Sequence, residues 1–533
     1  MRGRRLVVLG LAAVTATGMV SGCSDEETAP LPGAMTTSMI TTAPQPNQVA
    51  GVAIPDGRVE HILDEVERRA EELMETTGIP GMAVAVVYDG KVVYEKGFGV
   101  RDVDGKQPVG PHTVFQLASL SKPVGATVVA RQVEAGLVAW DTPVRQVAPW
   151  FALQDPYVSD HGTIGDLFAH RSGLPDHAGD RLEDLGFDRE QVLERLRLLP
   201  LAPFRATYAY TNFGLTAAAA AVAQAAGLDW ATLSEQAIYG PLGMDATSSR
   251  YADFAAAEDR AAGHVLVDGV YRRSDPGRRP DAQSPAGGVS SSVADMARWM
   301  MMMLANGSYN QKQVVASEAL LPAVSPQVVS SPPSAPDARA GFYGFGFNVG
   351  VSAAGRVTLG HSGAFDQGAA TAFTLIPSAE VGIVTLTNAA PIGVPETLNA
   401  EFADLVQFGE VRADWWELYQ EVFATVNAPT GELVGAAPPV DPAPARPLEG
   451  YAGRYSNDFY GPATVAVDGG ELRLMLGPGN VSMPLRHWDG EVFVFSPVGE
   501  SATPGTVSRA RFEGDRLWLE FYDADGLGSF TRS

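Results

Sequence analysis

One cysteine, Cys23, stands in a chain of 533 residues. No intrachain disulfide can form, so packing alone must hold any core. Basic residues are scarce too: 38 Lys and Arg face 62 Asp and Glu, a formal net charge of -24. That balance argues against nucleic acid as a partner, because phosphate binding needs a basic face. It fits a domain whose copies repel one another in solution. Beyond the first two dozen residues no apolar run approaches the ~20 residues that span a bilayer. Metal-ligand spacing is absent as well. His170 and His177, with Asp166 and Asp176 near them, do not make a spaced ligand motif, and His170 reads as a hydrogen-bonding residue behind a site. No cofactor is called for.

What is present begins at the N-terminus. Met1-Arg2-Gly3-Arg4-Arg5 is a basic opening, and Leu6 to Val20 is a short, mostly apolar stretch. Together they read as a secretory signal. Val20-Ser21-Gly22-Cys23 resembles the bacterial lipobox, in which the cysteine is lipidated and becomes the new N-terminus. The expectation is a signal peptide over 1–23, a lipid on Cys23, and a place on the extracytoplasmic face of a bacterial envelope membrane. A plain signal peptide or N-terminal anchor with a chance cysteine is the alternative.

Residues 24–56 are rich in Thr, Pro, Ala and Gln and read as a tether. Helical spacing of Ile62, Val66, Ala70 and Leu73 predicts a helix over Val59 to Thr76. Met82 to Tyr88 and Lys91 to Lys96 read as a hairpin about Asp89-Gly90. Further helices are expected over Ser119 to Glu134, Gly214 to Ala226, Val293 to Ala305 and Pro395 to Gln407. Pro285 to Val289 reads as a tight turn, and Ser325 to Ala340 as a Pro/Ser-rich loop. Strands are expected over Phe345 to Val351, Arg356 to Gly360, Ala372 to Ile376 and Val381 to Asn388. Strands at both ends with helices between them predict an α+β domain over 57–410, an antiparallel sheet with helices packed on it. Residues 411–447 read as a short helix at Trp415-Trp416 and a Pro/Ala-rich linker. About eight short strands with Gly turns predict a small antiparallel β-barrel over 448–533. Its aromatics read as its core. Met300-Met301-Met302-Met303 reads as helix core rather than a soft-metal site.

The chemistry gathers on Ser119-Leu120-Ser121-Lys122. Ser119 and Lys122 are three apart, so on a helix they share a face. A serine beside an amine able to take its proton is an activated nucleophile. Tyr210-Thr211-Asn212 follows 91 residues later, before a helix. Tyr210 near Lys122 would pass protons between Ser119 and a leaving group. His361-Ser362-Gly363 is expected to end a strand, its small residues letting a substrate backbone pair with the edge. The N–H groups of Ser119 and Ala364 would form an oxyanion hole. Asp366-Gln367 either lines the pocket or only makes a turn.

In this order the three motifs resemble those of class C β-lactamase-related serine hydrolases, a superfamily of D-alanyl-D-alanine carboxypeptidases, D-aminopeptidases, β-lactamases and esterases. His170-Arg171-Ser172-Gly173-Leu174-Pro175, Pro241-Leu242-Gly243-Met244, Pro285-Ala286-Gly287-Gly288 and Tyr343-Gly344-Phe345-Gly346 agree with it. The resemblance covers Val59 to Gln407. It implies an added helical subdomain, with the active site between it and the sheet. It also implies Ser119, Lys122 and Tyr210 as the catalytic group. Asn212, orienting the substrate amide or Lys122, would bind substrate together with His361, Ser362, Gly363 and Ala364. The C-terminal stretch looks like the lipocalin-like barrel of some family peptidases. The departure is His361, where class C β-lactamases carry lysine; histidine would be only partly charged at neutral pH. The expected activity is hydrolysis through a Ser119 acyl-enzyme, foremost on amide or peptide substrates such as D-amino-acid peptides, with an esterase close behind. A binding protein that acylates without turnover is the other class. Intact Ser119, Lys122, Tyr210 and Asn212 argue against it.

Overall fold

Residues 51–533 are described by the computed structural model. Cys23 and most of the tether lie outside them. The apolar and alternating runs become eight strands of one sheet: β1 (Gly81–Tyr88), β2 (Lys91–Gly99), β3 (Val328–Ser331), β4 (Gly341–Tyr343), β5 (Asn348–Val351), β6 (Val357–Phe365), β7 (Ala369–Ile376) and β8 (Val381–Thr387). They run in the order β2-β1-β8-β7-β6-β5-β4-β3, every pair antiparallel. β1 and β8 are almost wholly buried, which is why both read as continuous apolar runs rather than alternations. Their pairing brings the two ends of the domain together one strand in from the β2 edge of the sheet.

The helices that matter here are α1 (Leu63–Thr77), α2 (Ser121–Glu134), α3 (Asp180–Asp184), α4 (Asn212–Ala226), α5 (Val293–Leu304), α6 (Val394–Phe408) and α7 (Trp415–Val426). Val66, Ala70 and Leu73 of α1 and Leu398 and Phe402 of α6 cover one sheet face, meeting Met82, Val84, Val86 and Ile383. The other face, with Ala83, Ala85, Phe373 and Leu386, packs on α2, α5 and the helical region beyond them. Each fully buried Val, Leu, Ile, Phe or Met among them contributes ~1.5–3 kcal/mol. Met300, Met302 and Met303 lie in this core.

Several expected boundaries move. Residues 325–340 contain the edge strand β3, because Val328 and Val329 pair with β4 despite the flanking prolines. A one-turn helix, Ser284–Gly287, replaces the turn at Pro285, the proline sitting in its first turn where a missing N–H costs nothing. α4 starts at Asn212 rather than Gly214. Ser119 lies in a 3₁₀ turn, Ala118–Leu120, that feeds α2. α7, expected as a short helix at Trp415-Trp416, runs twelve residues. The largest change concerns β6, which does not end at Gly360. It runs on to Phe365, since His361, Ser362 and Gly363 stay in register with Phe373, Ala372 and Thr371 of β7.

The C-terminal strands close into an eight-stranded antiparallel barrel, the last (Ser529–Arg532) pairing with the first (Gly453–Ser456). Alternation places Leu472, Leu474 and Leu476 inward, against Tyr455, Phe493, Phe512 and Phe530. This core is continuous with that of the sheet domain. At the junction Gly479 N–H donates to Leu185 O at 3.0 Å. A side chain at Gly477 would strike the same carbonyl oxygen, so only a backbone this bare can dock there. Among the described residues no helix is long and apolar enough to cross a membrane.

Candidate active site

Ala118 holds a left-handed backbone, φ 48, immediately before Ser119. For alanine this costs roughly 1–2 kcal/mol, and three contacts hold it. Ser121 Oγ donates to Ala118 O at 2.6 Å and accepts from Val289 N–H at 2.9 Å, while Leu117 N–H donates to Val289 O. The turn carries Ser119 to the surface of a cavity at the start of α2. Lys122, one turn on, is fully buried. Its Nζ lies 3.0 Å from Ser119 Oγ, 2.7 Å from Asn212 Oδ1 and 3.0 Å from Ala286 O. Burial drives its pKa down to about 7, and the Asp180 carboxylate opposes part of that fall.

Tyr210 arrives from the loop before α4. Its hydroxyl donates to Ser119 Oγ at 2.7 Å, and Lys122 Nζ sits 4.4 Å from the ring centre. The loop is pinned from both sides: Tyr210 N–H donates to Asp176 Oδ1, and Tyr210 O accepts from His177 N–H. Thr211 N–H donates to His170 Nδ1 at 3.1 Å, which gives His170 the backing role expected for it. Burial raises the Tyr210 pKa well above the ordinary phenol value, the bond to Ser119 lowering it only in part. Asn212 Nδ2 donates to Asp180 Oδ2 at 2.8 Å, and His177 Nδ1 meets the same oxygen at 2.8 Å.

β6 forms the opposite wall. β5 pairs with it only as far as Gly360, so the edge from His361 to Phe365 is open toward the cavity. Gly363 packs against the turn that carries Ser119: a Cβ there would fall 2.3 Å from Leu117 O and 3.0 Å from Ser119 N. Alternation along β6 splits the remaining residues. His361 shares its face with Phe373 and points toward Tyr210 and Tyr343. Ser362 points the other way, into a hollow that Glu396 of α6 also lines. Ser362 therefore faces the site with its backbone alone. His361 Nδ1 lies 2.6 Å from Ser362 O, an acceptor, so Nδ1 carries the proton and Nε2 accepts from Tyr343 O–H at 2.8 Å. Burial foremost, then the Lys122 charge, brings its pKa to about 3. The imidazole is neutral at neutral pH, not partly charged as the sequence led us to expect, and both nitrogens are already engaged.

A family model described as Beta-lactamase matches residues 66–408. The chain belongs to the β-lactamase family. A second model, a domain of unknown function (DUF3471), matches residues 437–526, over the barrel. The chain is 28% identical to the unguisins hydrolase ungD of Aspergillus violaceofuscus, across 90% of this chain and 94% of that one. It is 26% identical to the D-alanyl-D-alanine-carboxypeptidase/endopeptidase AmpH of Escherichia coli, across 49% and 66% respectively. The octameric penicillin-binding protein homologue from Pyrococcus abyssi shares the fold, with a TM-score of 0.56 at 20% identity over 88% of this chain and 100% of that one.

The sequence motifs account for Ser119, Lys122, Tyr210 and Asn212 in this cavity, and leave out their supports. Asp180 holds Asn212 in place and does not stand out by spacing. Ser121 was visible inside the first motif without a role. The Tyr343-to-Gly346 hallmark has two: Tyr343 bonds His361, and Gly346, φ 82, lies where a Cβ would meet Lys122 O at 2.7 Å. Asp366 does both things expected of it as alternatives. It begins the β6–β7 turn and lines the cavity. Glu500, from the barrel, also lines the cavity and could not be found by any pattern within the catalytic domain.

Proposed function

We propose that the chain hydrolyses amide or peptide bonds, with D-amino-acid peptides the foremost class, through an acyl-enzyme on Ser119. One observation carries the reading: Ser119 Oγ lies 3.0 Å from Lys122 Nζ and 2.7 Å from Tyr210 Oη. With a pKa of about 7, Lys122 is substantially neutral at neutral pH, whereas Tyr210 keeps its proton. Lys122 is then the base that takes the Ser119 proton as Oγ attacks the carbonyl carbon. The substrate carbonyl oxygen becomes an oxyanion held by the N–H groups of Ser119 and Ala364. Tyr210, its hydroxyl beside Oγ, gives its proton to the leaving amine and regains one from Lys122. Water releases the acyl group by the reverse path. The open edge of β6 would pair with the substrate backbone.

Neutral His361 supports substrates that need no fixed cation for a terminal carboxylate. The N-terminal reading extends the proposal: a lipid on Cys23 would hold the enzyme at an envelope membrane surface. Purified protein labelled with a fluorophosphonate and analysed by intact mass should gain one adduct on Ser119. The S119A variant should gain none, and should lose turnover of every amide and ester tried. Turnover retained by S119A would overturn the assignment. Labelling without turnover on any D-peptide, ester or cephalosporin would replace the hydrolase by a sensor.

A further inference from the structure

Away from Ser119, a hollow of about 620 Å3 opens in the helical region, lined by α4, the helix Arg189–Arg195 and the start of the helix Trp230–Ser234. Leu193 and alanines of α4 give it an apolar floor. Gln224 lines it from the last turn of α4, whose first residue is Asn212. At 1.5 Å per residue the helix carries Gln224 about 18 Å from Asn212. The hollow is therefore separate from the Ser119 cavity.

Trp150 forms one wall and is 43% exposed. The ring is held all the same. Its N–H donates to Gln224 Oε1 at 2.7 Å, and it packs edge-on against buried Phe151. That bond uses the oxygen of the Gln224 amide and leaves Nε2 as the end that donates to a ligand. Glu190 and Glu194, four apart on one helix and both exposed, add acceptors. Trp230 also lines the hollow. It is 3% exposed, and its indole N–H is buried with no acceptor. A desolvated donor left bare is destabilising, and a ligand that brings an acceptor to it removes that cost.

These groups make three demands: a flat apolar face for Trp150, donors for the two carboxylates, and acceptors for Gln224 and Trp230. An anion is unsuited, because Glu190 and Glu194 repel it and the Arg189 guanidinium is spent on the carbonyls of Asp281 and Ala282. A simple ammonium ion brings no acceptor. A pyranose ring with equatorial substituents meets all three demands. Its C–H faces are apolar, and its rim of hydroxyls both donates and accepts. We propose that this hollow binds a neutral pyranose sugar stacked on Trp150, a saccharide site apart from the Ser119 cavity and independent of what Ser119 does.

Calorimetry on the full chain with cellotriose and with its N-acetylated counterpart chitotriose tests the site. At least one should bind with a Kd of about 1 mM or tighter. Saturation-transfer NMR should place the protein contact on the axial C–H protons of one ring. W150A should weaken binding about tenfold or more, as loss of a central aromatic anchor does. Tetramethylammonium, a cation that also favours aromatic walls, should not displace the sugar. Neither trisaccharide binding, affinity unchanged in W150A, or displacement by tetramethylammonium would each overturn the site. If W150A does not fold, W150F keeps a flat ring at the same place, and the NMR contact and the competition on the unaltered chain still decide.

Discussion

Asp180 decides which end of the Asn212 amide faces Lys122. Its Oδ2 accepts from Asn212 Nδ2 at 2.8 Å, which turns Asn212 Oδ1 toward Lys122 Nζ at 2.7 Å. Ala286 O, 3.0 Å from the same nitrogen, is also an acceptor only. A neutral amine has two protons and one lone pair. Both protons are committed to Asn212 and Ala286, so the lone pair is left for the Ser119 hydroxyl.

Replacing Asp180 by asparagine should loosen this arrangement. Either end of the new amide can face Asn212, whose amide is then free to flip. We expect kcat/KM to fall about 10–100-fold, the size seen when a supporting hydrogen bond to a catalytic group is lost. The Asp180 charge holds the Lys122 pKa up. Without it the pKa falls, so the acid limb of the kcat/KM profile should move to lower pH. An acid limb that stays in place in D180N would refute the electrostatic link.

Lys122 should also tie activity to instability. Its folded pKa, about 7, is depressed from 10.5. Between those values the unfolded chain binds the extra proton, so stability attributable to this group rises with pH. The penalty is full below about pH 7 and gone above 10.5. K122M should therefore abolish acylation and raise Tm, with the gain largest at pH 6 and smaller at pH 9. Calorimetric melts at the two pH values test this; a lowered Tm at pH 6 would count against a strained base.

Neighbouring residues of β6 should respond very differently. G363A puts a methyl group against Leu117 O and Ser119 N. It should displace the oxyanion donors and cost ~2.7–4 kcal/mol, or roughly 10²–10³ in kcat. Ser362 turns its side chain to the far face of β6, so S362A should change kcat/KM less than about threefold, below ~1 kcal/mol. Kinetics on one chromogenic ester compare the two; similar losses would contradict the face assignment.

The N-terminal expectation has its own experiment. C23S should remove the lipid acceptor without touching the described domain. Expressed in a bacterial host, the unaltered chain should sediment with membranes and take up radiolabelled palmitate. C23S should do neither, and a variant that stays on membranes would show the anchor to be something else.

Much of the frame was legible because periodicity reports burial. Val66, Ala70 and Leu73 repeat at helical spacing since one helix face meets the sheet. The Ser119–Lys122 pairing was legible because three residues of helix bring two side chains together whatever surrounds them. The end of β6 was not. Serine and glycine at 362 and 363 look like a strand terminus, yet pairing with β7 outweighs their weak strand preference.

The charge state of His361 illustrates the same divide. Its identity is in the sequence, but its neutrality follows from burial, from Tyr343 18 residues away and from Lys122. Local order and spacing alone picked out Ser119, Lys122, Tyr210 and the two kinds of domain, since those depend on near neighbours. Tertiary structure decided the Asp180 support, the direction of Ser362 and the entry of Glu500 into the cavity. These are contacts across tens to hundreds of residues, and only packing the sheet, the helical region and the barrel on one core brings them within bonding distance.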